Sequence, residues 1–112
     1  MELNIEMAGD VAIATLFVEE LDASNTAEFK QQMAPLLSEQ RKVVIDLGPV
    51  RFIDSSGLGA MLSCLRQVSS RGGDLKLCSM SKPVRAAFEL VRLHRVLDIY
   101  PSRTEAVQAF QS

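Results

Sequence analysis

The sequence predicts an α/β fold, in which a mixed sheet of about five strands carries about four helices, mostly on one face. Two observations lead to this prediction. Alternating apolar residues near the start of the chain, broken by a tight turn, are typical of an antiparallel hairpin. After the hairpin, helical and strand patterns follow each other regularly, and strands separated by helices pair in parallel through right-handed crossovers. The predicted order is β-β-α-β-α-β-α-β-α.

The chain of 112 residues is expected to form a single domain, residues 1–112, with a core that needs neither metal nor disulfide bonds. Hydrophobic residues make up 47% and charged residues 23% of the chain, as in ordinary soluble proteins. The net charge of −2 does not indicate direct binding to nucleic acid or to an anionic membrane, because such binding relies on positive charge. No cofactor is expected.

The cellular location is predicted from three features. The amino-terminal residues are partly acidic and have no basic cluster, unlike a signal peptide. The longest apolar run, Val11 to Val18, is too short to span a bilayer, so no membrane insertion is expected. Cys64 and Cys78 match no metal or redox spacing and are typical of buried thiols in a reducing compartment. These features predict a cytoplasmic protein.

The hairpin occupies the first 18 residues. Leu3, Ile5 and Met7 alternate with polar residues, which predicts a half-buried strand. Gly9-Asp10 predicts a tight turn, and Val11 to Val18 is predicted to be the second strand. The two strands should therefore pair as an antiparallel hairpin.

The first helix is predicted to begin at Asn25, which can cap it with Glu28 in the reciprocal position three residues later. Apolar residues at helical spacing then predict a face that packs on the core: Phe29, Met33, Leu36 and Leu37. Pro35 is expected to kink this helix or weaken its final turns. The next segment, Val43 to Leu47, is typical of a buried strand.

Two further helices alternate with strands. The second helix has an apolar stripe at Leu58, Met61, Leu62, Leu65 and Val68. Arg71-Gly72-Gly73 is expected to end it before a strand through Leu75 and Cys78. Ser81 and Pro83 then open a third helix, whose apolar positions are Val84, Ala87, Phe88 and Val91.

The last two elements complete the pattern. Val96 to Tyr100 is predicted to be a short strand. Ser102 and Glu105 form a sequence typical of a capping box, which predicts a closing helix with apolar residues at Ala106, Val107 and Phe110.

The candidate functional segment is Asp54-Ser55-Ser56-Gly57-Leu58-Gly59, where a strand leads into the second helix. One serine is expected to cap the helix, whose unpaired N–H groups attract anions. Ser55 could therefore carry a phosphate at little structural cost, and Asp54 could orient its hydroxyl or accept its proton. Gly57 and Gly59 would let a partner's backbone approach. The same segment is also an ordinary capping sequence that serves stability alone.

The segment from Asp54 to Gly59 resembles the signature of STAS domains, especially of stand-alone bacterial anti-sigma factor antagonists. In that family the first serine after the aspartate is the phosphoacceptor, which is Ser55 here. Glu20-Leu21-Asp22 resembles a second family element, and Val84 to Tyr100 resembles the family's helix and last strand. The resemblance implies a STAS fold over nearly the whole chain.

Two positions depart from the family pattern. Glu19 stands where the family often has glycine, on the surface expected to meet partners. Arg92 stands where the family often ends its third helix with glycine, which removes an easy left-handed cap. Neither position touches the phosphoacceptor, so the departures concern the choice of partner more than the mechanism.

The resemblance implies a phosphorylation-controlled partner switch rather than an enzyme. The unphosphorylated protein would bind an anti-sigma factor with serine kinase activity and so free a sigma factor, and a serine phosphatase would reverse the modification of Ser55. The chain is expected to be a monomer or a weak dimer. The residues expected to contact the partner are Asp22, Ser24, Asn25, Asp54, Ser56, Gly57, Leu58 and Gly59.

The sequence leaves three alternatives open. Asp22, Ser24 and Asn25 could equally be turn and cap residues. The chain could be a STAS module that binds without phosphorylation, in a lipid-transport complex or a sensor scaffold. A small hydrolase using Ser55, Asp54 and His94 lacks the Gly-x-Ser-x-Gly elbow, and no metal site or complete dinucleotide fingerprint supports an enzyme.

Overall fold

The computed structural model describes residues 1–111. Twelve elements follow each other along these residues. They are β1 (Glu2–Ala8), β2 (Val11–Phe17), β3 (Glu20–Leu21), α1 (Thr26–Glu39), β4 (Lys42–Asp46), β5 (Phe52–Ile53), α2 (Ser55–Ser69), β6 (Asp74–Cys78), α3 (Lys82–Leu90), a 3₁₀ turn (Leu93–Arg95), β7 (Asp98–Tyr100) and α4 (Arg103–Gln111).

The main sheet has five strands in the order β1-β2-β4-β6-β7. The first two strands pair antiparallel, with Leu3 opposite Leu16 and Met7 opposite Ala12. All other neighbours in this sheet pair in parallel, because each crossover passes through a helix. The predicted fold class, a mixed sheet with an amino-terminal hairpin and four helices, is confirmed.

Most of the helices lie on one face of the main sheet, as predicted. Helices α1, α2 and α3 cover one face, where their apolar stripes pack on inward residues of the central strands such as Ala14, Ile45 and Leu77. Helix α4 alone covers the other face, where Ala106 packs with a small cluster that includes Val44 and Cys78. The alternation of strand residues explains both cores, since successive side chains point to opposite faces.

Strand β1 differs from its prediction. Leu3 packs against the main core, but Ile5 and Met7, on the same face, are exposed. The reason is position: β1 is the edge strand, and the helix layer does not extend over its second half. The alternating pattern correctly indicated a strand and its inward face, but not how far the helices reach.

The start of α1 corrects one expectation. Asn25 occupies the cap position of α1, yet its side chain does not cap the helix, and Glu28 pairs with the terminal amino group of Met1. The predicted Asn25–Glu28 capping box is therefore wrong. Helix α1 also continues through Pro35 to Glu39. Ser102 does accept the N–H of Glu105 at 3.2 Å, which is one half of its predicted box.

The region after α3 shows how the chain replaces a helix-ending glycine. The helix stops at Leu90, one residue before the predicted Val91, which is exposed. Arg92 adopts the left-handed conformation (φ 61°) that glycine adopts without cost. A 3₁₀ turn follows, so β7 begins at Asp98 rather than at Val96.

A polar network fastens α4 to its face of the sheet. The guanidinium of Arg103 donates to Asp46 Oδ2 at 3.0 and 3.2 Å and to Thr15 Oγ1 at 2.6 Å, and it also pairs with Glu6. Asp46 and Thr15 are buried. Asp46 uses its other oxygen to accept the N–H of Gly48 at 2.9 Å, so the buried carboxylate is satisfied on both sides.

Replacing Arg103 with alanine is expected to lower the free energy of unfolding by about 1–3 kcal/mol, because it leaves the buried Asp46 carboxylate without its cation. The matched control is Lys42→Ala, which removes the cation from the exposed pair with Asp10 and should cost much less. Urea unfolding of both variants measures the difference. Equal losses would show that the buried pair contributes no more than a surface pair.

Candidate functional site: the start of helix α2

The cap of α2 is Asp54, not one of the serines as predicted. Its Oδ1 accepts the N–H of Gly57 at 2.9 Å, and Oδ2 accepts the N–H of Ala23 at 3.1 Å. A carboxylate suits this position because it has two acceptor oxygens and a negative charge beside the positive end of the helix. Asp54 therefore caps the helix and also ties it to the loop before α1.

These bonds bear on the role predicted for Asp54 toward the neighbouring hydroxyl. Both carboxylate oxygens accept from backbone groups, and Ser55 makes no side-chain hydrogen bond to any of residues 1–111. In this state the aspartate shapes the segment instead of orienting the hydroxyl. Its part in proton transfer remains a prediction.

Ser55 is the first residue of α2, and its side chain is exposed. Ser56, one residue later, is half-buried. The first turn of a helix provides no acceptor for the N–H groups of these two residues, so the positive end of α2 surrounds the exposed hydroxyl. A phosphate on Ser55 would meet that end of the helix without displacing any internal contact.

The two glycines of the segment have different surroundings. A Cβ atom on Gly57 would lie 2.6 Å from the carbonyl oxygen of Leu21 and 2.5 Å from Cγ1 of Ile53. A side chain at this position would therefore clash with the protein's own atoms, which explains the glycine without any partner. A Cβ on Gly59 would meet nothing within 4 Å. Only Gly59 keeps the open space that was predicted for a partner. Leu58 is 7% exposed and packs in the core, so its side chain is not part of the surface.

Gly57→Ala is expected to destabilise the protein by about 1–3 kcal/mol, because the new methyl group overlaps backbone and side-chain atoms of the neighbouring strands. Gly59→Ala is the control on the same helix and should be stabilising by about 0.5–1 kcal/mol, since alanine favours a helix where space is open. Chemical denaturation of the two variants should give changes of opposite sign. A Gly57→Ala variant as stable as the unmodified protein would contradict the close approach.

The loop Asp22–Asn25 lies against this segment through the bond from Ala23 to Asp54. Asp22 Oδ1 accepts from the N–H of Ser24 at 2.9 Å and from its hydroxyl at 2.5 Å. These bonds lower the pKa of Asp22, so it is ionised at neutral pH. Asn25 accepts the N–H of Asp22 at 3.0 Å and donates to the carbonyl of Glu20 at 2.8 Å.

The structure thus brings the two predicted groups of site residues together. The side chains of Asp22, Ser24 and Asn25 serve as turn residues, which is one of the two roles considered for them. Their contact with a partner remains a prediction. Together with Asp54, Asp22 and the exposed Glu19 and Glu20 make the surface around Ser55 acidic.

A second, two-stranded sheet supports the segment and was not predicted from the sequence. Strands β3 and β5 pair in parallel, with Glu20 beside Phe52 and Leu21 beside Ile53. Leu21 and Ile53 are buried, whereas Glu20 and Phe52 are exposed. A strand of two residues is too short to show a periodic pattern of apolar residues. The only local sign of these strands in the sequence is the apolar pair Leu21 and Ile53 among loop residues.

The remaining candidate chemistry lies elsewhere or is absent. No group of three or more His, Cys, Asp or Glu side chains that could hold a metal occurs within residues 1–111. His94 is in the 3₁₀ turn after α3 and forms no triad with Ser55. Burial raises the pKa of Cys64 to about 12 and that of Cys78 to about 11, so both free thiols are unreactive.

Two further surface observations concern ligands and membranes. A depression of about 260 Å³, lined by residues such as Arg41, Gly73 and Phe110, lies at the amino ends of β4 and β6, away from Ser55. Across the described part of the chain, no helix combines the length and apolar character needed to cross a bilayer.

The chain matches known proteins over nearly its whole length. The STAS domain family matches residues 3–106. The anti-sigma F factor antagonist of Paenibacillus polymyxa is 26% identical over 110 residues, which cover 96% of this chain and 94% of that protein. The anti-sigma-B factor antagonist of Bacillus subtilis is 26% identical over 109 residues, which cover 96% of this chain and 100% of that protein.

Solved structures agree with the sequence comparison. The anti-sigma factor antagonist SpoIIAA in its unphosphorylated form matches with a TM-score of 0.73 at 19% identity, over 99% of both chains. The Bacillus cell fate determinant SpoIIAA in its phosphorylated form gives a TM-score of 0.72 at 20% identity, over 97% of this chain and 99% of that one. At these identities the structural likeness shows the fold alone.

Proposed function

This chain belongs to the STAS domain family, and from that premise we propose that it is an anti-sigma factor antagonist controlled by phosphorylation of Ser55. The observation that carries the proposal is the exposed, unbonded hydroxyl of Ser55 at the positive end of α2, in a chain whose full-length relatives are anti-sigma factor antagonists. The protein is a ligand and a substrate in this cycle, not a catalyst.

In the proposed cycle the unphosphorylated chain binds an anti-sigma factor that is also a serine kinase, and a sigma factor is released. The kinase then transfers the γ-phosphoryl group of ATP to Ser55. A bond forms between Oγ and phosphorus, the bond to the ADP oxygen breaks, and the hydroxyl proton passes to a base. A serine phosphatase later hydrolyses the phosphoserine and restores the binding form.

The electrostatics of the surface support the switch. A phosphoserine adds about −1.5 to −2 charges beside Asp22 and Asp54. The positive end of α2 favours this charge inside the domain, so the fold should persist. Binding weakens at the interface, where the new charge must be desolvated next to existing carboxylates and against the partner.

The test incubates the protein with a purified anti-sigma serine kinase encoded beside its gene and with Mg-ATP. Mass spectrometry of the products is expected to locate one phosphate, on Ser55. Ser55→Ala should abolish phosphorylation, whereas Ser56→Ala, at the adjacent half-buried serine, should retain it. Phosphate on Ser56 of the unmodified protein would overturn the assignment, and absence of both binding and phosphorylation would overturn the function.

A further inference from the structure

Phe52 is the most exposed large aromatic side chain of the described residues, at 53%, and it lies two residues before the cap Asp54. Its exposure is imposed by the small sheet of β3 and β5. Leu21 and Ile53 point inward to the core, so their neighbours Glu20 and Phe52 must point outward. The outward pair consequently combines a phenyl ring with a carboxylate.

The backbone fixes this pair firmly. The carbonyl oxygen of Glu19 accepts the N–H of Arg51 at 2.7 Å and that of Phe52 at 3.1 Å, and Leu21 accepts the N–H of Asp54 at 3.3 Å. The ring is therefore presented on a rigid strand that continues directly into α2. Rigid aromatic side chains lose little conformational entropy on binding and are frequent centres of protein interfaces.

Folding alone gives no reason for a phenylalanine here. The side chain of Phe52 lies outside both hydrophobic clusters, and a polar residue would satisfy the same strand pairing. Single exposed apolar residues are common on protein surfaces, so exposure by itself decides nothing. The decisive feature is continuity with the acceptor, because Phe52 and Ser55 are joined by one strand end and one helix cap.

We propose that Phe52 anchors the anti-sigma factor, inserting into an apolar pocket that has a basic side chain at its rim to meet Glu20. The basic rim is required because Glu20 is paired with Phe52 across the small sheet and would otherwise be desolvated without a counter-charge. This inference rests on the proposed function and adds the chemistry of the partner's pocket. It also explains sensitivity to phosphorylation, since the new charge arrives at the edge of the anchored contact.

The test measures binding of the unphosphorylated protein to the same purified anti-sigma kinase by isothermal titration calorimetry. Phe52→Ala is expected to weaken binding at least tenfold. The matched control is Phe17→Ala, which removes the same side chain at 46% exposure from the end of β2, on the sheet face that α4 covers. The control should change affinity less than about twofold.

Two further variants test the chemistry of the pocket and guard against loss of fold. Phe52→Leu keeps an apolar side chain and should lose less affinity than Phe52→Ala. Glu20→Lys should weaken binding by repelling the basic rim, and the loss should shrink as salt concentration rises. Unchanged thermal melting of the four variants shows that the fold is intact.

The outcomes separate this inference from the proposed function. Binding by Phe52→Ala as tight as that by the unmodified protein, or equal losses for Phe52→Ala and Phe17→Ala, would overturn the anchor while leaving the function in place. Failure of the unmodified protein to bind the anti-sigma kinase would overturn both. A loss of affinity that is specific to Phe52→Ala, together with phosphorylation that still requires Ser55, supports both the anchor and the proposed function.

Discussion

Met61→Ala is expected to lower the free energy of unfolding by about 2–5 kcal/mol, because it opens a cavity under α2, the helix that begins at Ser55. Met61 is fully buried and belongs to the main core cluster, as does Val68 on the same helix. Leu62→Ala, one residue later, should cost about 1 kcal/mol or less, since Leu62 is half-buried and lies outside both hydrophobic clusters.

Urea unfolding monitored by circular dichroism distinguishes the two variants, provided that the slope of free energy against denaturant is unchanged. The pair is a strict test because both residues belonged to the stripe predicted from the sequence. A larger loss for Leu62→Ala than for Met61→Ala would mean that α2 is rotated about its axis. It would also place Ser55 on a different side of the helix.

The main elements of the fold could be predicted because each is long enough to show a period. Strands with alternating or continuous apolar residues and helices with apolar stripes indicated the five-stranded sheet and the four helices. The extent of burial was less predictable. Ile5 has the right periodicity for an inward residue, but its exposure depends on where the helix layer ends.

The candidate site was located from the sequence, while its internal contacts were not. Several polar residues stand before α1 and α2, and any of them could cap a helix. Asp54, which caps α2 in place of Ser55, also bonds to Ala23, 31 residues away in sequence. Asn25 does not cap α1, and its side chain bonds to Asp22 and Glu20 instead. The need for glycine at position 57 likewise depends on the position of Leu21, which is set only when the small sheet has folded.

Ser55→Glu is expected to weaken binding to the anti-sigma factor at least tenfold, or about 1.4 kcal/mol, while its melting curve nearly matches that of the unmodified protein. A negative charge at the start of a helix is favourable within the domain, by about 0.3–1 kcal/mol at an exposed position. The loss must therefore arise where the charge meets the partner and the carboxylates of Asp22 and Asp54.

The matched control is Ser63→Glu, which places the same charge at another exposed serine of α2, two turns beyond Ser55. It should leave binding within about twofold of the unmodified protein, since it is remote from the positive end of the helix and from the acidic surface.

Amide exchange of the protein phosphorylated on Ser55 gives the stricter test, because a carboxylate imitates a phosphate imperfectly. Protection should change only within residues 54–59 and the loop bonded to them. Loss of protection across the sheet or α4 would mean that phosphorylation acts through an internal conformational change, and direct repulsion at the interface would then be wrong.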